Sequence, residues 1–293
     1  MIQDNKLITI LTPTYNRADR LQLLFNSLKR QKNYNFEWMI IDDGSTDNTA
    51  QRVKGFQNST SCNFKIRYFF KENEGKHTAI NFAMDLINTP LTLIIDSDDQ
   101  LVPGGISLIE HYWKKYRSIG INDMVFEHLF NNGKAMVIIK QSEVLERRAL
   151  YPVKYKALGD YADVFVTAEF IRSKFPVFKG EKFLSEGHLY YSLSNKNAVF
   201  IDKPLTIGDY QSDGMTKNIR KNQIMSYKGT MYTATLFMDS MYPLWFRLKN
   251  GILYDYIAIK GACSLKKALR KSKYPMLTFA MFLPALVYSL LKR

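Results

Sequence analysis

Short apolar runs at residues 7–11, 36–41 and 91–95, and a stretch at 65–70 that alternates Ile66, Tyr68 and Phe70 on one face, recur through the first hundred residues, with polar or amphipathic stretches between them. Leu21, Leu24, Phe25 and Leu28 stand at i, i+3, i+4 and i+7, the spacing of one helix face. Ala79, Phe82, Ala83, Leu86 and Ile87 repeat that spacing, and Asp47-Asn48-Thr49 supplies a cap for a helix between them. Strands alternating with helices dictate an α/β fold, with a mainly parallel sheet wound through right-handed crossovers. In such sheets ligands gather at the carboxyl ends of the strands. Three of the runs end in polar residues: Thr12-Pro13-Thr14-Tyr15-Asn16-Arg17, Asp42-Asp43-Gly44-Ser45 and Asp96-Ser97-Asp98-Asp99. One rim is expected to collect all three.

The last of these places three carboxylates within four residues. Such crowding raises carboxyl pKa values through mutual repulsion unless a cation offsets it. Oxygen ligands at a strand end suit Mg²⁺ or Mn²⁺, with substrate phosphates completing the shell. A solvated acidic turn is the plain alternative, and the other polar strand ends count against it. Neither GxGxxG nor GxxxxGK[ST] occurs, which argues against dinucleotide and P-loop chemistry. A nucleotidyltransferase would carry a Gly-rich loop after the first strand, where this chain has Thr12–Arg17.

The net charge is +14, which would draw attention to nucleic acid if it were spread evenly. It is not: residues 217–293 hold fourteen Lys/Arg against two acids, Asp239 and Asp255, so +12 lies in that quarter. The basic residues there stand beside a long apolar run rather than among spaced stacking aromatics, which argues against nucleic acid as a partner. The division expected is residues 1–216 as the α/β domain and 217–293 as a basic, apolar, helical extension. The polar start, Met1–Lys6, reads as no signal peptide. Cys62 and Cys263 form no CxxC pattern and read as reduced thiols of a cytoplasmic protein. Past residue 101 a helix is expected through Ile106, Ile109, Tyr112, Trp113 and Tyr116. Strands are expected at 124–130 and 135–139, turning at Asn132-Gly133, and a helix at 183–194.

Pro13-Thr14-Tyr15-Asn16-Arg17, Ile41-Asp42-Asp43-Gly44-Ser45, Asn73-Glu74-Gly75-Lys76 with Asn81, and Asp96-Ser97-Asp98-Asp99 together resemble glycosyltransferase family 2, strongly over residues 5–105. The resemblance implies the GT-A fold and transfer of a sugar, with inversion, from a nucleotide-sugar, UDP-linked in most similar proteins. It implies that Pro13, Thr14, Tyr15, Arg17, Asp43, Lys76, Asp96 and Asp98 line the nucleotide site, Tyr15 bordering the base and Asp43 accepting from it. It implies Asp98 or Asp99 as ligands of Mn²⁺ or Mg²⁺, whose Lewis acidity would stabilise the departing diphosphate. Inversion needs a general base. Glu186 stands where the family carries an acid, often an acidic pair, but here Gly187 follows it, so Glu181 competes for the role. Residues 209–217 resemble the family's loop over the donor diphosphate, with Gly214, Thr216 and Lys217 as candidate contacts.

Residues 275–291 form an apolar run at the lower limit for a spanning helix, interrupted by Pro284 and flanked by cations. It reads as an interfacial or re-entrant helix rather than a span. A peripheral enzyme on the inner membrane face, with a lipid-linked saccharide acceptor and a place in capsule, O-antigen or related polysaccharide synthesis, is the expectation drawn by resemblance. A catalytically inactive sugar-nucleotide-binding scaffold at the membrane is the alternative.

Overall fold

The sheet begins with β1 (Ile8–Thr14), β2 (Phe36–Asp42), β3 (Lys65–Phe70) and β4 (Leu91–Ile94), joined through α1 (Leu21–Lys29), α2 (Thr49–Gln57) and α3 (Lys76–Met84). The structure, a computed structural model, describes residues 6–60, 62–211, 218–261 and 263–291. These four strands lie in the order β3-β2-β1-β4 and pair in parallel, with Thr14 in register with Asp42. Every residue of β1 and β2 is buried. That is how a central strand covered on both faces reads as an unbroken apolar run. Phe25 of α1 stacks on Phe56 of α2, with ring centroids 4.2 Å apart, and both lie near Trp38.

Beyond β4 the sheet is mixed rather than mainly parallel. β5 (Gln100–Leu101), α4 (Gly105–Tyr116), β6 (Asp123–Leu129), β7 (Val144–Glu146), α5 (Tyr151–Lys154), β8 (Tyr161–Val166), α6 (Thr167–Phe170) and, past a second segment of chain, β9 (Ala198–Ile207) complete it. β8 runs antiparallel to both β4 and β6, while β9 pairs parallel with β6 and antiparallel with β5 and β7.

Several local expectations fail for identifiable reasons. Residues 135–139 form no strand beyond a single bridge between Leu129 and Ala135, because the Ile139 amide donates to the Glu127 side chain. α3 stops at Met84, and Phe82 is turned outward beside Phe69 instead of inward. The helix expected over 183–194 shrinks to α7 (Gly187–Ser192), since the Phe183 amide donates to Ser226 Oγ instead.

The chain divides into two compact units, Met1–Lys174 with Leu193–Asp209, and Phe175–Ser192 with Tyr210–Arg293. The expected boundary at 216/217 falls at residues outside those described, and residues 175–192 group with the later helices. The second unit holds α7, α8 (Ile219–Met225), α9 (Tyr227–Leu236), α10 (Leu244–Lys260), α11 (Leu265–Lys271) and α12 (Pro275–Leu291). Gly251 lies against Met281 and Tyr256 against Tyr288, so α10 and α12 run parallel, with α11 in the return connection. A Cβ on Gly251 would come within 2.9 Å of Met281 Cγ, so glycine is what lets these helices approach. Among the described residues no helix is long and apolar enough to cross a membrane.

Candidate active site

The carboxyl ends of β1, β2 and β4 do bring their polar residues to one rim. Pro13 and Thr14 are buried at the end of β1, and Tyr15 emerges 47% exposed. Asn16 adopts a left-handed backbone, φ 51°, which its short polar side chain tolerates. Its amide donates to Ser45 Oγ and its side-chain oxygen accepts from the Thr46 amide, each at 2.8 Å, locking the first rim loop to the second.

At the end of β2 both carboxylates are used internally. Asp42 accepts from the Tyr68 hydroxyl and the Ser45 amide, both at 2.7 Å, and burial, with Asp42 beside it, raises the Tyr68 pKa. Asp43, 4% exposed, accepts from Lys71 Nζ (2.9 Å), the Glu74 amide (3.1 Å) and the Gly75 amide (2.7 Å). Those donors fill three of about four lone-pair positions on a carboxylate. Gly44, at φ 84°, passes so close to residue 73 that a Cβ would sit 2.7 Å from its amide nitrogen. The Asp-Asp-Gly sequence therefore builds a brace for the loop at 72–75. That loop delivers Lys76 to the first turn of α3, where Nζ lies 2.6 Å from Asp96 Oδ1.

The acidic turn after β4 is closed by the Asp99 amide donating to the Asp96 carbonyl. Its carboxylates repel one another. Burial, then Asp96, raises the Asp98 pKa, while Arg17 and Arg20 pull it back. Burial, then Asp96 and Asp98, raises Asp99, and Lys76 opposes them. Arg20, on the last turn before α1, belongs to none of the sequence motifs.

Two further residues behind Asp99 were not evident from the sequence. His128 of β6 is buried, shares a 2.7 Å hydrogen bond with Thr206 of β9, and places Nε2 3.9 Å from Asp99 Oδ1. Burial lowers its pKa, against the pull of Asp160, Asp96 and Asp209. Gly208 lies so close that a Cβ there would stand 1.8 Å from Asp99 Oδ1. The only sequence signal for either was a histidine within the expected strand at 124–130. The Asp-Lys-Pro at 202–204 hid β9, and with it Gly208.

The donor set fits a divalent cation. Clustered oxygen donors held at raised pKa gain most from a positive ion between them. Among the described residues no three His, Cys, Asp or Glu side chains are arranged to hold a metal unaided. A small hard cation can instead be held by one or two carboxylates and completed by substrate phosphates and water. Asp98 and Asp99 are the residues that would hold it.

In the second unit, the two competing glutamates separate clearly. Glu181 is buried, and its oxygens accept from the Lys228 and Gly229 amides at 3.0 and 2.8 Å, capping the start of α9. That is a helix-terminus role for a carboxylate. Glu186 is half-buried just before α7 and accepts from the Tyr190 hydroxyl at 3.2 Å. A Cβ on Gly187 would meet Phe237 Cζ at 2.5 Å, so Phe237 of the helical unit excludes the second acid of the usual pair. Of the loop at 209–217, residues 212–217, with Gly214, Thr216 and Lys217, lie outside those described.

A parallel half-sheet whose carboxyl rim carries an exposed aromatic, a loop lysine and an acidic turn defines the nucleotide-sugar-binding half of a GT-A fold. The model of glycosyl transferase family 2 matches residues 9–169, and the chain belongs to that family. An uncharacterized glycosyltransferase of Mycoplasma genitalium is 32% identical over 114 residues, covering 38% of each chain. The GalNAc(5)-diNAcBac-PP-undecaprenol beta-1,3-glucosyltransferase of Campylobacter jejuni is 24% identical over 80% of this chain and 75% of its own. Among solved structures, S. aureus TarS 1-349 in complex with UDP-GlcNAc shares the fold, with TM-score 0.61 and 18% identity over 95% of this chain and 79% of that one. The mannosyltransferase PcManGT of Pyrobaculum calidifontis, in complex with GDP-Man and Mn²⁺, has TM-score 0.58 and 15% identity over 98% of this chain and 88% of its own.

Proposed function

We propose that this chain transfers a glycosyl group from a UDP-sugar, with inversion, to a saccharide acceptor carried on a lipid, in the synthesis of a bacterial surface polysaccharide. The observation that carries the donor half is the meeting of Lys76 with the acidic turn. A cation 2.6 Å from Asp96, beside two carboxylates of raised pKa, is the local charge pattern a metal-bound diphosphate would complete. The UDP-GlcNAc complex of TarS supports UDP, and the undecaprenol-linked substrate in the Campylobacter relative's name supports the lipid carrier.

The residues have the following roles in this reading. Tyr15 offers an exposed ring face to the base, and Pro13, Thr14 and Arg17 shape the loop around it. Asp43 holds the loop that carries Lys76, and its remaining lone pair accepts from the base. Lys76 and Arg17 neutralise phosphate oxygens, and Asp96 contacts the ribose. Mn²⁺ or Mg²⁺, held by Asp98 and Asp99, would supply Lewis-acid stabilisation of the diphosphate leaving group. Glu186 takes the proton from the acceptor hydroxyl. Glu181, already committed to two backbone amides, is the poorer base.

Calorimetric titration with UDP, GDP and CDP, each with and without Mn²⁺, tests the donor reading. Binding of UDP that requires Mn²⁺ and is lost in Asp98→Asn supports it. A preference for GDP moves the donor class, and absence of metal-dependent binding to all three leaves the inactive scaffold as the better account.

A further inference from the structure

α12 packs on α10 through Leu277, Met281 and Tyr288, and its Thr278, Ala285 and Ser289 are buried. The opposite side is open. Met276, Phe279, Leu283, Val287 and Leu290 are between 49% and 86% exposed. At the helical spacing of 100° per residue they fall, with Ala280, Pro284 and Leu291, within an arc of about 140°. No charge interrupts that arc, and residues 263–291 contain no acid at all. A surface helix of a globular protein ordinarily turns its apolar stripe to the core and its polar face to water. Here Leu277, Met281 and Tyr288 face the neighbouring helix, while a second set of large apolar residues faces out.

The charge beside the stripe identifies its occupant. Lys266, Lys267, Arg270 and Lys271 on α11 are exposed, and α11 leads directly into α12. Asp239 accepts from the Tyr274 and Tyr191 hydroxyls at 2.8 and 3.1 Å and pairs with Lys273 at 3.5 Å, fixing the turn between these helices. At the start of α10, which runs parallel to α12, Leu244 and Trp245 are 62% and 50% exposed. An exposed indole at the start of α10, an apolar stripe on α12 and the α11 cations together fit the boundary between headgroups and acyl chains. A second copy of this chain would bring a second set of the same cations, and like charges would repel.

We propose that α12 lies in the plane of an anionic phospholipid surface, with Phe279, Leu283 and Val287 inserted among the acyl chains and the α11 cations on the headgroups. This stands apart from the donor reading, because it requires no nucleotide. The test is flotation of the full chain with vesicles of phosphatidylcholine, with and without phosphatidylglycerol. Binding is expected to the phosphatidylglycerol vesicles and to weaken with salt. Phe279→Gln with Leu283→Gln should lower the partition coefficient about a hundredfold. Lys266→Ser, Lys267→Ser and Arg270→Ser together should lower it at least about tenfold, on the anionic vesicles alone.

Unchanged circular dichroism and unchanged nucleotide titration identify variants that remain folded. Hydrogen exchange on the unmodified chain gives an independent readout, since vesicles should protect residues 275–291. Failure to float with either vesicle, binding indifferent to both sets of substitutions, or stripe-dependent dimers in light scattering would each overturn the proposal. Its failure leaves the donor reading standing, and loss of nucleotide binding leaves this surface standing.

Discussion

Two strand-end aspartate pairs in this molecule, Asp42-Asp43 and Asp98-Asp99, look alike in sequence and differ in what surrounds them. The first pair is almost fully buried and largely satisfied, with a tyrosine hydroxyl, three backbone amides and Lys71 around its oxygens. The second pair is partly open and crowded by Asp96, and the pKa of both members rises. A carboxylate whose lone pairs are filled by protein donors is part of the framework. One left facing other carboxylates gains from a cation brought from outside. Adjacent acids are therefore not one motif with one meaning; the donors around them decide.

The sharpest way to break this contrast is Asp98→Asn. Turnover should fall by about 10³-fold or more, because the charge proposed to anchor the Lewis acid is gone. The same variant should melt no lower than the parent without metal, because it removes a repelled charge; a glycosyl-transfer assay paired with thermal melting reads both. Asp43→Ala should show the reverse emphasis. Stripping Lys71 and two amides of a buried partner should cost about 3 kcal/mol of stability, measured by urea unfolding. An Asp43→Ala protein as stable as the parent would mean the two pairs are not distinct.

A finer test is Gly208→Ala, whose methyl would occupy the position of the Asp99 carboxylate. Moving Asp99, the proposed metal ligand, by about 1 Å should weaken Mn²⁺-dependent nucleotide binding about a hundredfold while leaving metal-free folding nearly intact. Isothermal titration with and without Mn²⁺ separates the two effects.

A third carboxylate extends the comparison to the extreme. Asp255 of α10 is fully buried, neither oxygen has a hydrogen-bond partner among the described residues, and burial pushes its pKa up to about 7. Its unfolded value is about 3.9. Between those values the folded chain holds a proton that the unfolded chain releases, so stability falls as pH rises through the window. The slope should approach 1.4 kcal/mol per pH unit at its steepest, about as much as one group can give. Asp255→Asn should flatten that dependence in denaturant melts between pH 4 and 8, and a parent curve already flat there would refute the assignment.

Much of the donor site was legible in the chain. The polar strand ends at Thr14, Asp42 and Asp96 follow runs whose burial is dictated by their composition, and parallel pairing then sends those ends to one side. What stayed hidden depends on contacts between segments far apart in sequence. Glu186 and Glu181 compete for one role in the sequence, and that the amides of α9 occupy Glu181 is visible only in the fold. Gly187 reads as a defect in a motif until Phe237 is seen against it. His128 and Gly208 reach Asp99 through β6 and β9, and the parallel pairing of those strands had no local signature.

The sequence by itself determined the alternating half-sheet, the rim on which its polar ends meet, and the apolar, cation-flanked helix at 275–291, because each follows from local periodicity and composition. Tertiary structure decided which carboxylates are satisfied and which are left in want of a cation, and which face of α12 meets protein and which meets the outside. Hydrogen-bond satisfaction and helix rotation are set by partners tens to hundreds of residues away, and periodicity within one segment carries no record of them.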